Sequence, residues 1–117
     1  MFTLESLAGH QFVIYDTPAT DKRWRCEGSS NSDDRVYLEL TAYRIVRKTA
    51  AGAWIDVHGE SKFVLDGNGK RWAYESQEWA LNSFIKRKQW QIRYALAAQC
   101  RAEAQLAFAE TIRKERF

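Results

Sequence analysis

Asp56-Val57-His58-Gly59-Glu60 places an imidazole between two carboxylates at alternate positions, and such residues hold divalent metals or pass protons to a substrate. The run is incomplete for either task. His58-Gly59-Glu60 opens like a zinc-deaminase signature, but the Pro-Cys-x-x-Cys that supplies the other ligands is missing from the chain. A single histidine at a strand end is more simply a solvated turn residue. Gly67-Asn68-Gly69-Lys70 has glycines and a lysine in the manner of a phosphate loop. Arg71 stands where the metal-binding Ser/Thr belongs, however, and the upstream glycine spacing fails. Taken as a calcium loop opening at Asp66, the same stretch puts Lys70 at the third ligand position and Gln77 in place of the bidentate acid. Cys26 has an electropositive neighbour in Arg25, but nothing pairs with it as a base, and the chain's two histidines are His10 and His58. The sequence therefore predicts no catalytic residue, no metal ligand and no cofactor. It is not expected to be an enzyme.

Binding chemistry has the stronger claim. Five Trp, five Tyr and six Phe make 14% of 117 residues aromatic, and Trp, Tyr and Arg are the residue types enriched at interaction hot spots. Several of them fall in one long helical segment. Beyond Gly69 the chain has neither Gly nor Pro; Ser76 is a good N-cap, Glu78 suits the positive end of a helix dipole, and Arg113, Lys114 and Arg116 suit the negative end. The spacing predicts a helix over residues 77–114, roughly 57 Å long by its rise per residue. A compact domain of this size is about 35 Å across. The distal helix is therefore expected to project and to need a second partner.

That helix has two patterned faces. Leu81, Phe84, Ile85, Ile92, Ala95, Leu96, Ala102 and Leu106 share one sector, expected to pack on a sheet in its first half, with Lys88 intruding. The other sector alternates aromatic and basic residues: Trp79, Lys86, Trp90, Arg93, Tyr94 and Arg101, with Phe108 beyond. Three readings of it stand open. It is interface core covered by the N-terminal strand or a second copy, a hot-spot surface for another protein, or a nucleic-acid surface with cations on phosphates and rings stacked on bases.

Upstream, QFVIYD (residues 11–16) has the residue types of a short strand, and the polar stretch from Thr17 to Asp34, with Pro18 inside it, divides this strand from the rest. Gly28-Ser29-Ser30-Asn31-Ser32-Asp33-Asp34 predicts a loop. In Val36–Lys48, Val36, Leu38, Leu40, Ala42 and Val46 share one pleat face, with Tyr37, Tyr43 and Ile45 on the other, so both faces are expected to be partly covered. Ala50-Ala51-Gly52 turns into a strand over residues 53–58; a second hairpin joins Lys62–Leu65 to Arg71–Tyr74 through Asp66-Gly67-Asn68-Gly69. The predicted fold is α+β: one domain spanning 1–117, with an antiparallel meander of about four strands (sheet over about 11–74) followed by one long C-terminal helix.

Hydrophobic residues at 45% and charged residues at 28% fit an ordinary globular chain. No apolar run approaches the ~20 residues of a membrane span, and no signal sequence opens the chain. Cys26 and Cys100 cannot build a framework of several bridges and are expected to be free thiols of a reducing cytoplasm. The net charge of +3 is uneven: residues 1–58 carry seven Lys/Arg against eight Asp/Glu, residues 59–117 eleven against seven. A basic half suits nucleic acid, an acidic protein or a solvated helix face.

Residues 70–93, KRWAYESQEWALNSFIKRKQWQIR, resemble a recurrent segment of small uncharacterised proteins encoded by bacteriophages and prophages. There a strand ending Lys-Arg-aromatic-Ala-Tyr leads through a polar cap into a helix bearing Ala-Leu-x-Ser-Phe-Ile-x-Arg-Lys. The matching residues are Lys70, Arg71, Trp72, Ala73, Tyr74, Ala80, Leu81, Ser83, Phe84, Ile85, Arg87 and Lys88. Tyr43–Ile55, YRIVRKTAAGAWI, is similar to the preceding hairpin, so the likeness spans roughly residues 43–105. Glu75-Ser76 replaces the usual Pro-Thr and still caps.

The resemblance implies a phage-encoded protein at work in the cytoplasm of a bacterial host cell. Phage proteins of this size without catalytic motifs often act stoichiometrically, and inhibitors of CRISPR systems and other host defences are a prominent class. The expected partner is thus a host protein or ribonucleoprotein complex. Trp79, Lys86, Trp90, Arg93, Tyr94 and Arg101 are the expected contact residues, with rings as anchors and cations pairing with acidic groups or phosphate. The rival expectations are an accessory protein that binds nucleic acid through the basic helix and a self-assembling structural protein, with a homodimer open in either case and a membrane in none.

Overall fold

The computed structural model describes residues 2–7 in backbone, and residues 10–30, 35–67 and 71–117 in full. Six strands and one helix follow in order: β1 Phe2–Leu7, β2 His10–Tyr15, β3 Lys22–Ser30, β4 Val36–Lys48, β5 Gly52–Val57, β6 Glu60–Leu65 and α1 Gln77–Arg116. The α+β class and the long C-terminal helix agree with expectation. The strand count does not, because β1 and β3 lie where no strand was predicted. Nor is the sheet a simple meander, for β2 runs parallel to β4 while the other named pairings are antiparallel.

β4 organises the sheet. Its first half is central, pairing Tyr37–Thr41 with β2 and Val36–Arg44 with β3; its last residues pair with β5. Alternation sends Leu40 and Ala42 into a cluster with Trp24, Cys26 and Ala80, joined by Phe12, Ile14, Tyr74, Leu81 and Phe84. Tyr43 and Ile45 go to a second cluster with Ile55, Val64, Ala73, Val57 and Trp72. Both faces of β4 are covered, as its residues imply. Val46 departs from the pattern and is exposed. The pairing register with β5 shifts between Ile45 and Arg47, which takes Val46 out of the alternation.

β3 corrects the reading of Thr17–Asp34 as a polar divider and of Gly28–Ser30 as loop; Asn31–Asp34 lie outside the described residues. Its charged residues hide an alternation in which Trp24 and Cys26 point into the first core. Gly28 belongs there for a packing reason: a Cβ on it would stand 2.8 Å from Phe84 Cζ and 3.0 Å from Leu38 Cδ2. Arg71–Tyr74 is not a hairpin partner of β6. β6 pairs with β5 alone among the named strands, and Tyr74 instead exchanges two backbone hydrogen bonds with Trp24, at 2.6 and 2.8 Å, capping the other edge of β3. Gly67 of the predicted Asp66–Gly69 turn has positive φ; Asn68, Gly69 and Lys70 are outside the described residues.

The chain divides into two units, Met1–Phe84 and Ile85–Phe117. In the first, Ser76 caps α1 by accepting a hydrogen bond from the Trp79 backbone N–H at 3.1 Å. Ala80, Leu81 and Phe84 then complete the first core. In the second, no side chain is buried. The apolar stripe expected to lie on the sheet is thus spent there only as far as Phe84: Ile85, Ile92, Leu96 and Leu106 are exposed. The two helical turns that end at Phe84, about 12 Å of axis, suffice to cover the cluster around Trp24.

Candidate functional site

Helical spacing decides which of the aromatic and basic residues meet. Positions three and four apart on a helix are neighbours, and in residues 85–117 this brings together Trp90, Arg93 and Tyr94. The Trp90 and Tyr94 rings stack at 5.8 Å with 27° between their planes. The Arg93 guanidinium lies 4.7 Å from the Trp90 centroid, in cation–π range. Trp90 is 52% exposed and Tyr94 68%. In the single chain they are not core. Lys86, one turn before Trp90, and Arg101, two turns beyond Tyr94, are exposed on the same face.

Trp79 is placed differently, in the first unit. There the Arg71 guanidinium sits 4.6 Å from the Tyr74 ring and 5.7 Å from that of Trp79. Arg71 is buried and pairs with Glu75 at 2.8 Å; Arg23, also buried, pairs with Asp66 at 3.5 Å. Burial pushes the Glu75 carboxyl up, but the hydrogen bond from Arg71, the residue's own backbone N–H and the charges of Arg71 and Arg23 outweigh it and hold the group below its ordinary range. Gly67, Arg71, Glu75, Ser76 and Trp79 line an open hollow of about 400 Å³. Its cation is already matched by Glu75, which makes the hollow a poor anion trap. Of the six predicted contact residues, three therefore form one cluster.

Sequence reasoning missed an aromatic–cation group on the sheet. Tyr43 packs at 5.4 Å from Trp72 and edge-on to His58 at 6.1 Å, and the Trp72 ring has Arg25 at 4.4 Å and Lys62 at 4.9 Å. Arg25 also donates to the Trp72 carbonyl at 2.6 Å and pairs with Glu27. Burial pushes the Tyr43 phenol up. These cations are engaged within the protein, and the group closes the rim of the second core. Its signal was the alternation of β3, hidden in a polar stretch.

Asp56, His58 and Glu60 build a turn. Asp56 accepts a hydrogen bond from the Gly59 N–H at 2.9 Å and pairs with Arg44 at 3.3 Å. His58 and Gly59 both have positive φ, 53° and 87°, which gives the two-residue link between β5 and β6 the twist that a tight hairpin needs. Among the described residues no group of three or more His, Cys, Asp or Glu is placed to hold a metal ion. Cys26 is buried and Cys100 exposed, both as thiols. No helix among the described residues is long and apolar enough to cross a membrane. Comparison with protein-family models, with curated proteins and with solved structures finds no match for the chain.

Proposed function

We propose that this protein acts by stoichiometric binding to another protein through the face of α1 that carries Trp90, Arg93 and Tyr94. The single observation that supports this is the exposure of two large rings already stacked on one another and braced by a guanidinium. Rings held in place lose little side-chain freedom on binding, and Trp, Tyr and Arg anchors carry most of the energy in protein interfaces. The same stacking favours a protein partner over nucleic acid. A face of Trp90 occupied by Arg93 is not free to receive a base.

The resemblance of residues 70–93 to a segment of small phage proteins gives the setting: a phage-encoded chain that obstructs a host defence complex, in the manner of an anti-CRISPR, inside the bacterial cell. Lys86 and Arg101 would add charge at the edge of the contact. The test is plaque formation on a CRISPR-immune host expressing the chain. Wild type should lift plating efficiency toward that of a non-immune host, and Trp90→Ala with Arg93→Ala should abolish the lift while leaving the circular dichroism spectrum unchanged. Immunity untouched by the wild-type chain would rule out CRISPR as the target, and unchanged activity of the double variant would remove this face from the function.

A further inference from the structure

We infer that the other face of residues 85–117, the Ile/Ala stripe, is the docking surface for a second copy of this chain, bound antiparallel as a two-stranded coiled coil. The stripe has a seven-residue repeat. Ile85, Ile92, Gln99 and Leu106 recur at one heptad position, and Ala95, Ala102 and Ala109 recur three places on, the spacing that keeps a seam facing a partner helix. In the single chain this seam is bare, with Ile92, Leu96 and Leu106 each more than half exposed.

Size and charge together choose the occupant and its direction. A parallel copy in register would set Ile92 on Ile92, Ala102 on Ala102 and a basic stretch on itself. Residues 85–101 carry Lys86, Arg87, Lys88, Arg93 and Arg101 with no Asp or Glu, whereas residues 102–117 carry three Glu against three Lys/Arg. An antiparallel copy centred near Ala97 and Ala98 removes both conflicts. Ile85 of one copy then faces Ala109 of the other and Ile92 faces Ala102, so large residues meet small ones at these two layers, while Leu106 lies along the aliphatic stem of Lys88. In that register Lys86 flanks Glu110 and Arg93 flanks Glu103, each pair formed twice by symmetry. The arrangement leaves the Trp90–Tyr94 stack on the outside of the pair, with Lys86 and Arg93 at the border between the two faces.

The experiment is the mass of the full chain in solution, by sedimentation equilibrium at micromolar concentration and moderate salt. Wild type should be a dimer. Ile92→Lys with Leu106→Lys should give a monomer, and Trp90→Ala with Tyr94→Ala should stay dimeric. Arg93→Glu and Glu103→Arg should each weaken the dimer several-fold, and the two together should restore it, because only an antiparallel pair sets residue 93 against residue 103. A wild-type monomer, a trimer or larger, or a dimer indifferent to the two lysines would overturn the proposal. So would a charge exchange that fails to rescue.

Discussion

Trp24 is 4% exposed, seated in β3 among Cys26, Leu40 and Ala80, while Trp90 is 52% exposed on α1 with Arg93 and Tyr94 of its own helix beside it. The same side chain thus has two fates. In the first unit, strands far apart in sequence converge, so that alternate residues of β3 and β4 and the first turns of α1 share one cluster. In residues 85–117 there is one helix, whose side chains radiate from their axis and cannot enclose each other. Aromatic content alone does not make a core. What matters is whether the topology supplies a second surface, as β3 and β4 do for Trp24.

The largest expected effect breaks or sustains this contrast directly. Trp24→Ala should cost about 3–5 kcal/mol, as removal of a buried aromatic does, whereas Trp90→Ala should change stability by no more than about 0.5 kcal/mol. Urea unfolding followed by circular dichroism measures both. Equal losses would mean that Trp90 is buried in solution and that the contrast belongs to the isolated chain alone.

A second prediction tests where one regime gives way to the other. Phe84 is the last helix residue spent on the first core, and Ile85 beside it is exposed. Phe84 reaches its place over Gly28, whose missing side chain leaves the room. Gly28→Ala should therefore destabilise by about 1–3 kcal/mol through overpacking. Combined with Phe84→Leu, the loss should fall short of the sum of the two single losses, since the smaller side chain vacates the contested space. Strict additivity in the same unfolding assay would show that Phe84 and Gly28 are not coupled.

Much of this was legible from local patterns. The Ser76 cap, the absence of Gly and Pro after Gly69, and the terminal charges delimited α1 to within two residues of its observed end, and the alternation of Val36–Lys48 foretold cores on both sides of β4. β3 was hidden because Lys22, Arg23, Arg25, Glu27, Ser29 and Ser30 read as solvent-facing. What makes it a strand is the long-range pairing with β4 and the two bonds to Tyr74. For the same reason Arg71–Tyr74 was given the wrong neighbour: turn chemistry fixes what is near in sequence and cannot see β3 waiting on the other side. At the candidate site, helical spacing sufficed to bring Trp90, Arg93 and Tyr94 together. It could not distinguish Trp79, at the same angular position, which belongs to the body of the fold.

The smallest effect concerns charge in that body. Glu75 titrates below its ordinary value because Arg71 holds the carboxylate form. Between the depressed folded value and the ordinary unfolded one, near 4.5, the unfolded chain binds the extra proton. Stability is therefore full above the unfolded value and is lost as pH falls toward and through the folded one. The Glu75 side chain is 44% exposed, so solvent screening limits its share to less than about 1 kcal/mol. Thermal melts should accordingly show the melting temperature falling from pH 6 to pH 3, with a shallower fall in Glu75→Gln. That variant should also start lower at pH 6, because Arg71 keeps its buried charge and loses its counter-ion. An acid slope identical in wild type and Glu75→Gln would mean that Glu75 does not feel Arg71, and that the hollow beside Trp79 holds a cation with nothing to balance it.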